Sequence, residues 1–424
     1  MLSNDGNKVF EARYAGRDDE GNINETFEQA VVRIAKAVSS VEDDDTKDIW
    51  YKEYKNVLEN LLFIPSTPVW ANIGKTDRTW QPGACVVLSV EDSLDDMYKT
   101  LRNTAMVFKS GGGVGYNFSK IRPKGSIVRS TKGQASGVVE LIKLYDASSN
   151  MVMQGGVRRG ASMGILNVDH PEIMDFINCK RDGGITNFNL SVGITDDFMK
   201  ALDADGTWNL KFNGKVHETI YARDIWNAIA ESAHACGDPG IIFLDRLQSD
   251  NPVPSRVLDA TNPCGEQPLF PFETCVLGSI NLAKMIVDGK LDKWKLYRTA
   301  RIATHFLDAL IDIAEYPLDS IREGTMATRK IGLGFTGLHD ALIMQDLPYD
   351  SPEGLKEAAR ITNIINDASF TESQRLAESK GVFPLWEESK YYKAGIKMRN
   401  ASRVTIAPTG SVTAMAGCEG YGVE

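Results

Sequence analysis

The middle of the sequence contains the runs Ala161–Val168 (ASMGILNV) and Phe188–Ile194 (FNLSVGI), with a helical pattern between them. Short apolar runs of this kind predict buried strands. Strands that alternate with helices imply a largely parallel sheet, because parallel neighbours need a crossover connection, usually a helix. The two runs therefore predict an α/β fold with a sheet that is either open or closed into a barrel.

The same alternation extends over most of the chain. Further apolar runs predict strands at Ala84–Val90, Val114–Phe118, Ile241–Leu244, Ile331–Phe335 and Val404–Ile406. Long amphipathic patterns predict helices over Trp294–Ala314 and from Ser351-Pro352 to Gly381, where Ser351 is a helix cap and Pro352 suits the first turn.

The first 62 residues have a different pattern and predict helices. Asn24 is the expected cap of a helix with one apolar face, and a second helix is expected to lead to Phe63. We therefore expect a short helical N-terminal region at residues 1–62 and one large α/β domain at 63–424.

Composition excludes several classes of protein. The 424 residues are 42% hydrophobic and 25% charged, which is enough to form a core without disulfides. The 47 basic and 57 acidic residues give a net charge of −10, which disfavours binding along a nucleic-acid backbone. No apolar run approaches the roughly 18 residues that span a bilayer, and the polar N-terminus lacks a signal-peptide pattern. The expectation is a non-secreted cytoplasmic protein that binds neither nucleic acid nor membrane.

The cysteines and histidines do not predict a metal site. Six cysteines and five histidines are present, but no two cysteines form a Cys-x-x-Cys pair and no histidine has zinc-like spacing. We expect no metal site made wholly by this chain.

Three glycine-rich segments are compatible with bound anions. They are Lys109–Gly115, Gln154–Gly160, which includes two arginines, and Ala407–Thr413, which follows an expected strand. Backbone N–H groups and guanidinium groups are suitable phosphate donors. Each segment also has a simpler interpretation, as a tight turn, close backbone packing or an exposed basic loop. Together they favour nucleotide ligands.

The segment Thr261–Pro268 (TNPCGEQP) is the most unusual in the chain. Two prolines and a glycine exclude a regular helix or a central strand. The loop therefore displays the thiol of Cys264, the carboxylate of Glu266 and the amide of Asn262. Its simpler interpretation is a structural turn with an incidental cysteine.

Several ordered motifs resemble the catalytic subunit of ribonucleotide reductase. They are Cys85, Asn262-Pro-Cys264-Gly-Glu266, Cys275 with Leu277-Gly-Ser-Ile-Asn281, and Ala407-Pro-Thr-Gly410. The resemblance runs from about Phe63 to the last residue. The motif sequences are most similar to those of the adenosylcobalamin-dependent (class II) branch. It implies a ten-stranded α/β barrel with a central finger loop, and the last strand of that barrel would follow residue 424 or come from a second polypeptide.

The resemblance also implies catalytic roles. Cys264, at the tip of the finger loop, would become a thiyl radical that takes the ribose 3′-hydrogen in a shielded pocket. Glu266 would accept the 3′-OH proton, and Asn262 would hold hydroxyls by hydrogen bonds. Cys85 and Cys275 would be the redox pair that forms a disulfide in each turnover. Cys418 has no counterpart and is expected to be structural or incidental.

Substrate and effector residues follow from the same resemblance. It implies substrate contacts at Thr67, Ala84, Arg158, Pro408, Thr409, Gly410, Ser411 and Val412, with Thr413 closing the phosphate loop. It implies binding of a nucleoside triphosphate specificity effector, at a homodimer interface, by Asp92, Arg122, Arg129 and Gln154.

The radical source stays open at this point. The motif sequences favour adenosylcobalamin as the radical source. The short length of the chain favours a separate metal-containing radical subunit, as in short viral-type enzymes. The family's other partners would be a ribonucleotide di- or triphosphate and a thioredoxin- or glutaredoxin-like dithiol reductant. A second polypeptide that completes the barrel is a further expectation. The N-terminus is too short for an ATP-cone domain, and the cytoplasm would be that of a cell or of a virus's host.

Two other functions compete with this one. A glycyl-radical enzyme would also use a barrel and a finger-loop cysteine, but it would not need both Cys85 and Cys275. A catalytically inactive nucleotide-binding regulatory protein would not need Cys264, Asn262 and Glu266 together.

Overall fold

The computed structural model describes residues 2–128, 132–154 and 158–423, and only the backbone at 153, 154, 158 and 159. The chain divides into two compact units. The split unit consists of Met1–Ala84 and Thr274–Glu424, and the middle unit consists of Cys85–Glu273.

Helices occur along the whole chain. They are α1 Asn4–Arg13, α2 Phe27–Val38, α3 Lys47–Glu59, α4 Thr67–Asn72, α5 Leu94–Ser110, α6 Val138–Met151, α7 Ile173–Asn178, α8 Asp196–Asp203, α9 Ala222–Cys236, α10 Leu244–Ser249, α11 Lys293–Ile313, α12 Asp319–Thr328, α13 Leu338–Ile343, α14 Pro352–Lys380, α15 Lys390–Lys393 and α16 Gly410–Ala416. Short 3-10 turns occur at Ser39–Val41, Leu282–Met285 and Trp386–Glu388.

Strands alternate with these helices. They are β1 Phe63–Pro65, β2 Cys85–Val87, β3 Gly113–Asn117, β4 Met153–Gln154, β5 Arg158–Arg159, β6 Ser162–Asn167, β7 Phe188–Ile194, β8 Thr207–Phe212, β9 Lys215–Tyr221, β10 Gly240–Phe243, β11 Thr274–Asn281, β12 Ile286–Val287, β13 Lys290–Leu291 and β14 Ile331–Thr336.

The middle unit contains a parallel sheet in the order β2-β3-β6-β7-β10. Its strands coincide closely with the predicted apolar runs, and β7 has the predicted bounds. Tyr116, Phe118 and Phe188 from the sheet pack with Tyr145 of α6 as an aromatic core. The predicted α/β class with parallel strands is confirmed here.

The split unit has a smaller sheet in which β11 pairs antiparallel with β1 and parallel with β14. Apolar runs do not select β11, since Thr, Cys, Gly, Ser and Asn interrupt its apolar residues, yet all its residues are buried. The predicted strand Val404–Ile406 was wrong as a regular strand. Val404 makes an isolated parallel bridge to Leu333, and the N–H of Thr405 donates to the Leu333 carbonyl.

Helices of the N-terminal region pack in the split unit. The helical character predicted for residues 1–62 is confirmed, but Asn24 is not the cap of α2. Thr26 is the cap, because its hydroxyl accepts from the N–H of Gln29 while Gln29 accepts from the N–H of Thr26. The second predicted helix ends at Glu59, and Phe63 begins β1 instead.

The core of the split unit is built around α11. Thirteen of its residues are buried, from Leu296 to Ile311. They contact apolar side chains of α2, α3, β11 and β14, so one cluster joins the N-terminal helices to the sheet. Among the residues described, no helix has an apolar stretch long enough to cross a bilayer.

Candidate active site

The segment Thr261–Pro268 forms a closed loop in the middle unit. Its two ends are joined by an antiparallel bridge between Thr261 and Pro268, and the N–H of Asn262 donates to the Gln267 carbonyl. The N–H of Gly265 donates to the Asn262 carbonyl over 3.0 Å, which tightens the tip. Gly265 has a φ of +85°, a left-handed conformation that favours glycine. The prolines and glycine of the sequence thus produce a loop, as predicted.

Close backbone packing holds this loop against β3. A Cβ added at Gly115 would lie 1.7 Å from the Thr261 carbonyl oxygen, and one added at Gly113 would lie 2.6 Å from Pro263 Cγ. Asn189 of β7 donates its side-chain N–H to the Pro263 carbonyl over 2.8 Å. Gly113 and Gly115 of the Lys109–Gly115 segment therefore serve close backbone packing, which was the simpler of the two interpretations.

The side chains of Asn262 and Glu266 meet across the loop. Asn262 Nδ2 donates to Glu266 Oε2 over 2.5 Å, and Asn262 Oδ1 accepts from the backbone N–H of Gln267 over 2.9 Å. The second bond fixes which end of the amide faces Glu266, because only Nδ2 can donate. Burial raises the pKa of Glu266 above its ordinary value, and the bond from Asn262 partly opposes this rise. A carboxylate with a raised pKa is a better proton acceptor.

Cys264 occupies the loop tip between these two residues. Its side chain is exposed, whereas a shielded sulfur was expected. The position that a Cβ of the adjacent tip residue Gly265 would take is also open. Asn262 beneath the tip is fully buried. The thiol of Cys264 is therefore exposed at the tip, while the polar side chain of Asn262 is buried at the foot of the loop.

The predicted redox cysteines are both buried. Cys85 begins β2 and belongs to the middle unit, while Cys275 lies in β11 of the split unit. Their pairing stays a prediction. Cys418 is also buried, and burial raises the pKa of its thiol to about 12. A thiol of that kind is a poor nucleophile at neutral pH, which agrees with a structural role.

The predicted phosphate loop surrounds the start of α16. Pro408 is exposed, Thr409 has a φ of +60°, and the helix begins at Gly410. Thr409 Oγ1 accepts from the N–H of Gly422 and from the hydroxyl of Thr413, over 3.1 and 2.8 Å. Ser411 Oγ accepts from a guanidinium N–H of Arg13 over 2.7 Å. Val412 is buried.

The other two predicted substrate residues of the split unit lie in separate elements. Thr67 is the first residue of α4, and its hydroxyl is 3.3 Å from the Tyr14 hydroxyl. Ala84 is buried, and its N–H donates to the Cys275 carbonyl over 3.4 Å.

Two of the predicted effector residues are brought together in the middle unit. Arg122 Nε donates to both carboxylate oxygens of Asp92, over 3.0 and 2.8 Å. Gln154 and Arg158 are opposite residues in the antiparallel β4–β5 pair, which fixes their backbone register. Arg129 lies outside the described residues.

Sequence reasoning did not select some residues that build the site. Asn189 supports the finger loop, and its signal is a polar side chain within an otherwise apolar strand. Arg13 reaches Ser411 from α1, and no local pattern marks that contact. Among the described residues, no group of three or more His, Cys, Asp or Glu side chains could hold a metal ion.

Comparison with known proteins supports the resemblance. Family models described as ribonucleotide reductase, all-alpha domain and barrel domain match residues 1–78 and 83–398. The chain is 45% identical over 417 residues to the vitamin B12-dependent ribonucleoside-diphosphate reductase of Thermoplasma acidophilum, covering 97% of this chain and 53% of that protein. It is 42% identical to the protein of the same name from Mycobacterium tuberculosis, covering 96% and 60%. A ribonucleoside-diphosphate reductase subunit alpha from Chlamydia muridarum is 30% identical over 89% of this chain and 39% of that protein. The chain thus spans between half and two thirds of the length of the two nearer of these relatives.

Proposed function

Because the chain belongs to the ribonucleotide reductase family, we propose that it reduces ribonucleoside diphosphates to 2′-deoxyribonucleoside diphosphates by thiyl-radical chemistry. The observation that carries the proposal is the Asn262–Glu266 hydrogen bond beneath the exposed thiol of Cys264. The loop thus carries three groups together: Cys264 as the hydrogen-atom acceptor, Glu266 as the base and Asn262 as the amide donor. The diphosphate substrate is the one named for the Thermoplasma and Mycobacterium relatives.

In the proposed reaction the finger loop acts on the 3′ position of the ribose. The Cys264 thiyl radical takes the 3′-hydrogen atom, so that an S–H bond forms as the C3′–H bond breaks. Glu266 accepts the 3′-OH proton, for which its raised pKa suits it. Asn262 Nδ2 has two hydrogens, one of which bonds Glu266, and the other is the proposed donor to a ribose hydroxyl.

Two further electrons are needed to replace the 2′-hydroxyl by hydrogen. We assign them to Cys85 and Cys275, whose thiols would form a disulfide as the 2′-oxygen leaves as water. Thioredoxin- or glutaredoxin-like dithiols would then reduce the disulfide. The support for this role is that both cysteines lie in motifs resembling those of the family, inside the region matched by the barrel-domain model. Such recycling requires a reducing compartment, and we place the reaction in the cytoplasm.

The environment of Cys264 fits a bulky radical generator. The thiol is exposed. At the adjacent Gly265, an added Cβ would have no atom within 4 Å among the residues that the structure describes, its two chain neighbours excepted. We propose that Cys264 faces adenosylcobalamin, in keeping with the names of the nearer relatives. When bound, adenosylcobalamin supplies a carbon radical that can take a thiol hydrogen atom.

Regulation is proposed at the Asp92–Arg122 pair. With Arg129 and Gln154, these residues would bind a nucleoside triphosphate effector at a homodimer interface, and Arg158 would reach the substrate from the β4–β5 pair. The half-buried carboxylate–guanidinium pair supports this assignment, since a ribose hydroxyl and a phosphate can bind its two members. We also propose, as the sequence predicted, that the chain consists of a helical N-terminal region at residues 1–62 and a catalytic barrel at residues 63–424.

The variant Cys264→Ser tests the proposed function. It is expected to lose deoxyribonucleotide formation completely while it still binds the nucleoside diphosphate, because serine cannot form a stable radical at this position. Cys236→Ser is the matched control, since Cys236 is also exposed and its Sγ has hydrogen-bond contacts with Ser232 and with the Asp238 carbonyl. Turnover by Cys264→Ser at the wild-type rate would refute the mechanism.

The radical source is tested in the same assay. Nucleotide reduction with dithiothreitol is run with adenosylcobalamin and, separately, with a candidate metal-containing radical subunit. Activity with adenosylcobalamin alone supports the proposal, and activity with the subunit alone refutes it.

A further inference from the structure

The N-terminal helix α1 lies directly against α16. A Cβ added at Gly6 would be 2.5 Å from the Met415 carbonyl oxygen, so the two helices approach closely at this point. The close contact fixes the far end of α1, at Arg13, relative to the loop that precedes α16. A residue of the N-terminal region is thereby placed beside the proposed phosphate loop.

Arg13 contacts that loop through one hydrogen bond. Its Nη1 donates to Ser411 Oγ over 2.7 Å. A serine hydroxyl has one hydrogen and two acceptor lone pairs. When its oxygen accepts from Arg13, the hydroxyl hydrogen of Ser411 is directed away from the guanidinium and is available to a ligand oxygen. Arg13 therefore orients Ser411 as a donor.

The positive charge of Arg13 is not neutralised locally. Its side chain is exposed, and within the part of the chain that the structure describes no carboxylate lies within 4 Å of it. Arginine normally pairs with carboxylate or phosphate through several N–H groups. Only one N–H of Arg13 is used by Ser411, so the others can donate to an anion next to this hydroxyl.

The next residue, Tyr14, connects to the second proposed substrate segment. Its side chain is buried, and its hydroxyl is 3.3 Å from that of Thr67 at the start of α4. Its carbonyl accepts from Lys75 Nζ over 2.9 Å, which ties the end of α1 to the chain after α4. Two consecutive residues thus contact Thr67 and Ser411, which are far apart in sequence.

We propose that Arg13 is a positioning residue of the substrate site that favours the terminal phosphate of a nucleoside diphosphate. It holds Ser411 as a donor and adds a guanidinium beside it, while Tyr14 keeps this end of α1 at Thr67. The inference rests on the proposed function for the identity of the ligand. It gives the N-terminal region a role in substrate affinity as well as in packing.

Arg13→Gln tests this role because it removes the charge and keeps a polar side chain. Binding of ADP and of adenosine to the chain is measured by calorimetry, and KM and kcat are measured in the reductase assay. Loss of a charged hydrogen bond predicts a decrease in ADP affinity of about tenfold or more, with adenosine affinity within about twofold. KM should rise in parallel, whereas kcat stays near the wild-type value.

Two further variants separate charge from structure. Arg13→Lys is expected to recover part of the ADP affinity, since it keeps the charge but not the fork of N–H groups. Lys8→Gln is the matched control, because Lys8 is an exposed cation of the same helix that pairs with Asp5. It should bind ADP as the wild type does.

The outcomes distinguish this inference from the proposed function. Equal losses of ADP and adenosine affinity in Arg13→Gln, or no loss of either, would refute the inference even if the wild type reduces nucleotides. A selective loss of ADP affinity would support it. If the wild type reduces no nucleotide with either radical source, the proposed function fails, while the phosphate preference of Arg13 is still decided by calorimetry.

Discussion

Glu266 has its properties set by two opposing effects. Burial raises the pKa of its carboxyl group, and the hydrogen bond from Asn262 lowers it by stabilising the charged form. The net result is a raised pKa, so the ionised base is obtained at a somewhat higher pH than for an ordinary glutamate. A polar neighbour and a partly buried loop together tune this single side chain.

Asn262→Ala should therefore change the pH dependence of the reaction as well as its rate. Without the bond from Nδ2, burial acts on Glu266 unopposed, and its pKa rises further. The acid limb of the plot of kcat/KM against pH is expected to move to higher pH. Glu266→Gln is the control and should lack this limb. An acid limb at the wild-type pH in Asn262→Ala would show that Glu266 is not the base.

The finger loop and β3 behave as one structural element. Because Gly113 and Gly115 have no Cβ, Thr261 and Pro263 can approach the strand backbone closely. The loop makes few ladder hydrogen bonds of its own, so this contact and the bond from Asn189 determine where its tip lies. Glycine in a strand interior often marks such a close approach.

Gly115→Ala should separate the loop from the strand. The new Cβ would overlap the Thr261 carbonyl oxygen, and a backbone atom cannot rotate away as a side chain can. Overpacking of this kind costs about 1–3 kcal/mol or more of unfolding free energy. Denaturant unfolding measures the loss, and Gly184→Ala, with no atom within 4 Å of its added Cβ and no positive φ, is the control. Equal stability of the two variants would contradict the close packing.

At the scale of the whole molecule, long-range polar contacts join distant parts of the split unit. His305 of α11 lies between Glu42 and Glu372, with ring nitrogens 3.2 and 3.1 Å from their carboxylate oxygens. Lys380 also pairs with Glu42. Burial alone would lower the pKa of His305, but the two carboxylates outweigh it and raise the pKa. Glu42 is buried too, yet His305 and Lys380 lower its pKa to about 2.

This cluster predicts a pH dependence of stability. A raised pKa in the folded state means that His305 stabilises the fold fully below its unfolded pKa of about 6.5, and that this contribution is lost as the pH rises through the folded pKa. The contribution of Glu42 is present above about pH 4.5 and is lost only as the pH falls towards 2. His305→Gln should therefore lower the unfolding free energy most at about pH 5–6.5, and less at alkaline pH.

Denaturant unfolding over a series of pH values checks this expectation. His339→Gln, a substitution at an exposed position of α13, is the control and should follow the wild-type curve. A difference between His305→Gln and the wild type that is the same at every pH would mean that packing of the imidazole matters and its charge does not.

Local chemistry explains how much the sequence alone determines. It determines the strands of the parallel sheet in the middle unit, the helix that begins at Pro352 and the loop at Thr261–Pro268, because apolar runs, a proline at a helix start and a Pro-Gly-Pro segment act within a few residues. It also presents Asn262, Cys264 and Glu266 together, since all three lie on one short loop. The buried strand β11 escapes this reasoning because Thr, Cys, Gly, Ser and Asn interrupt its apolar residues, although all its residues are buried.

Only the tertiary structure decided the contacts between residues far apart in the chain. It shows that the glycines of β3 serve the finger loop, that Arg13 reaches Ser411, and that His305 is held between two carboxylates. It also shows that Cys264 is exposed. The physical reason is that packing, burial and the resulting pKa values depend on neighbours in space, which chain folding brings together and local sequence patterns do not encode.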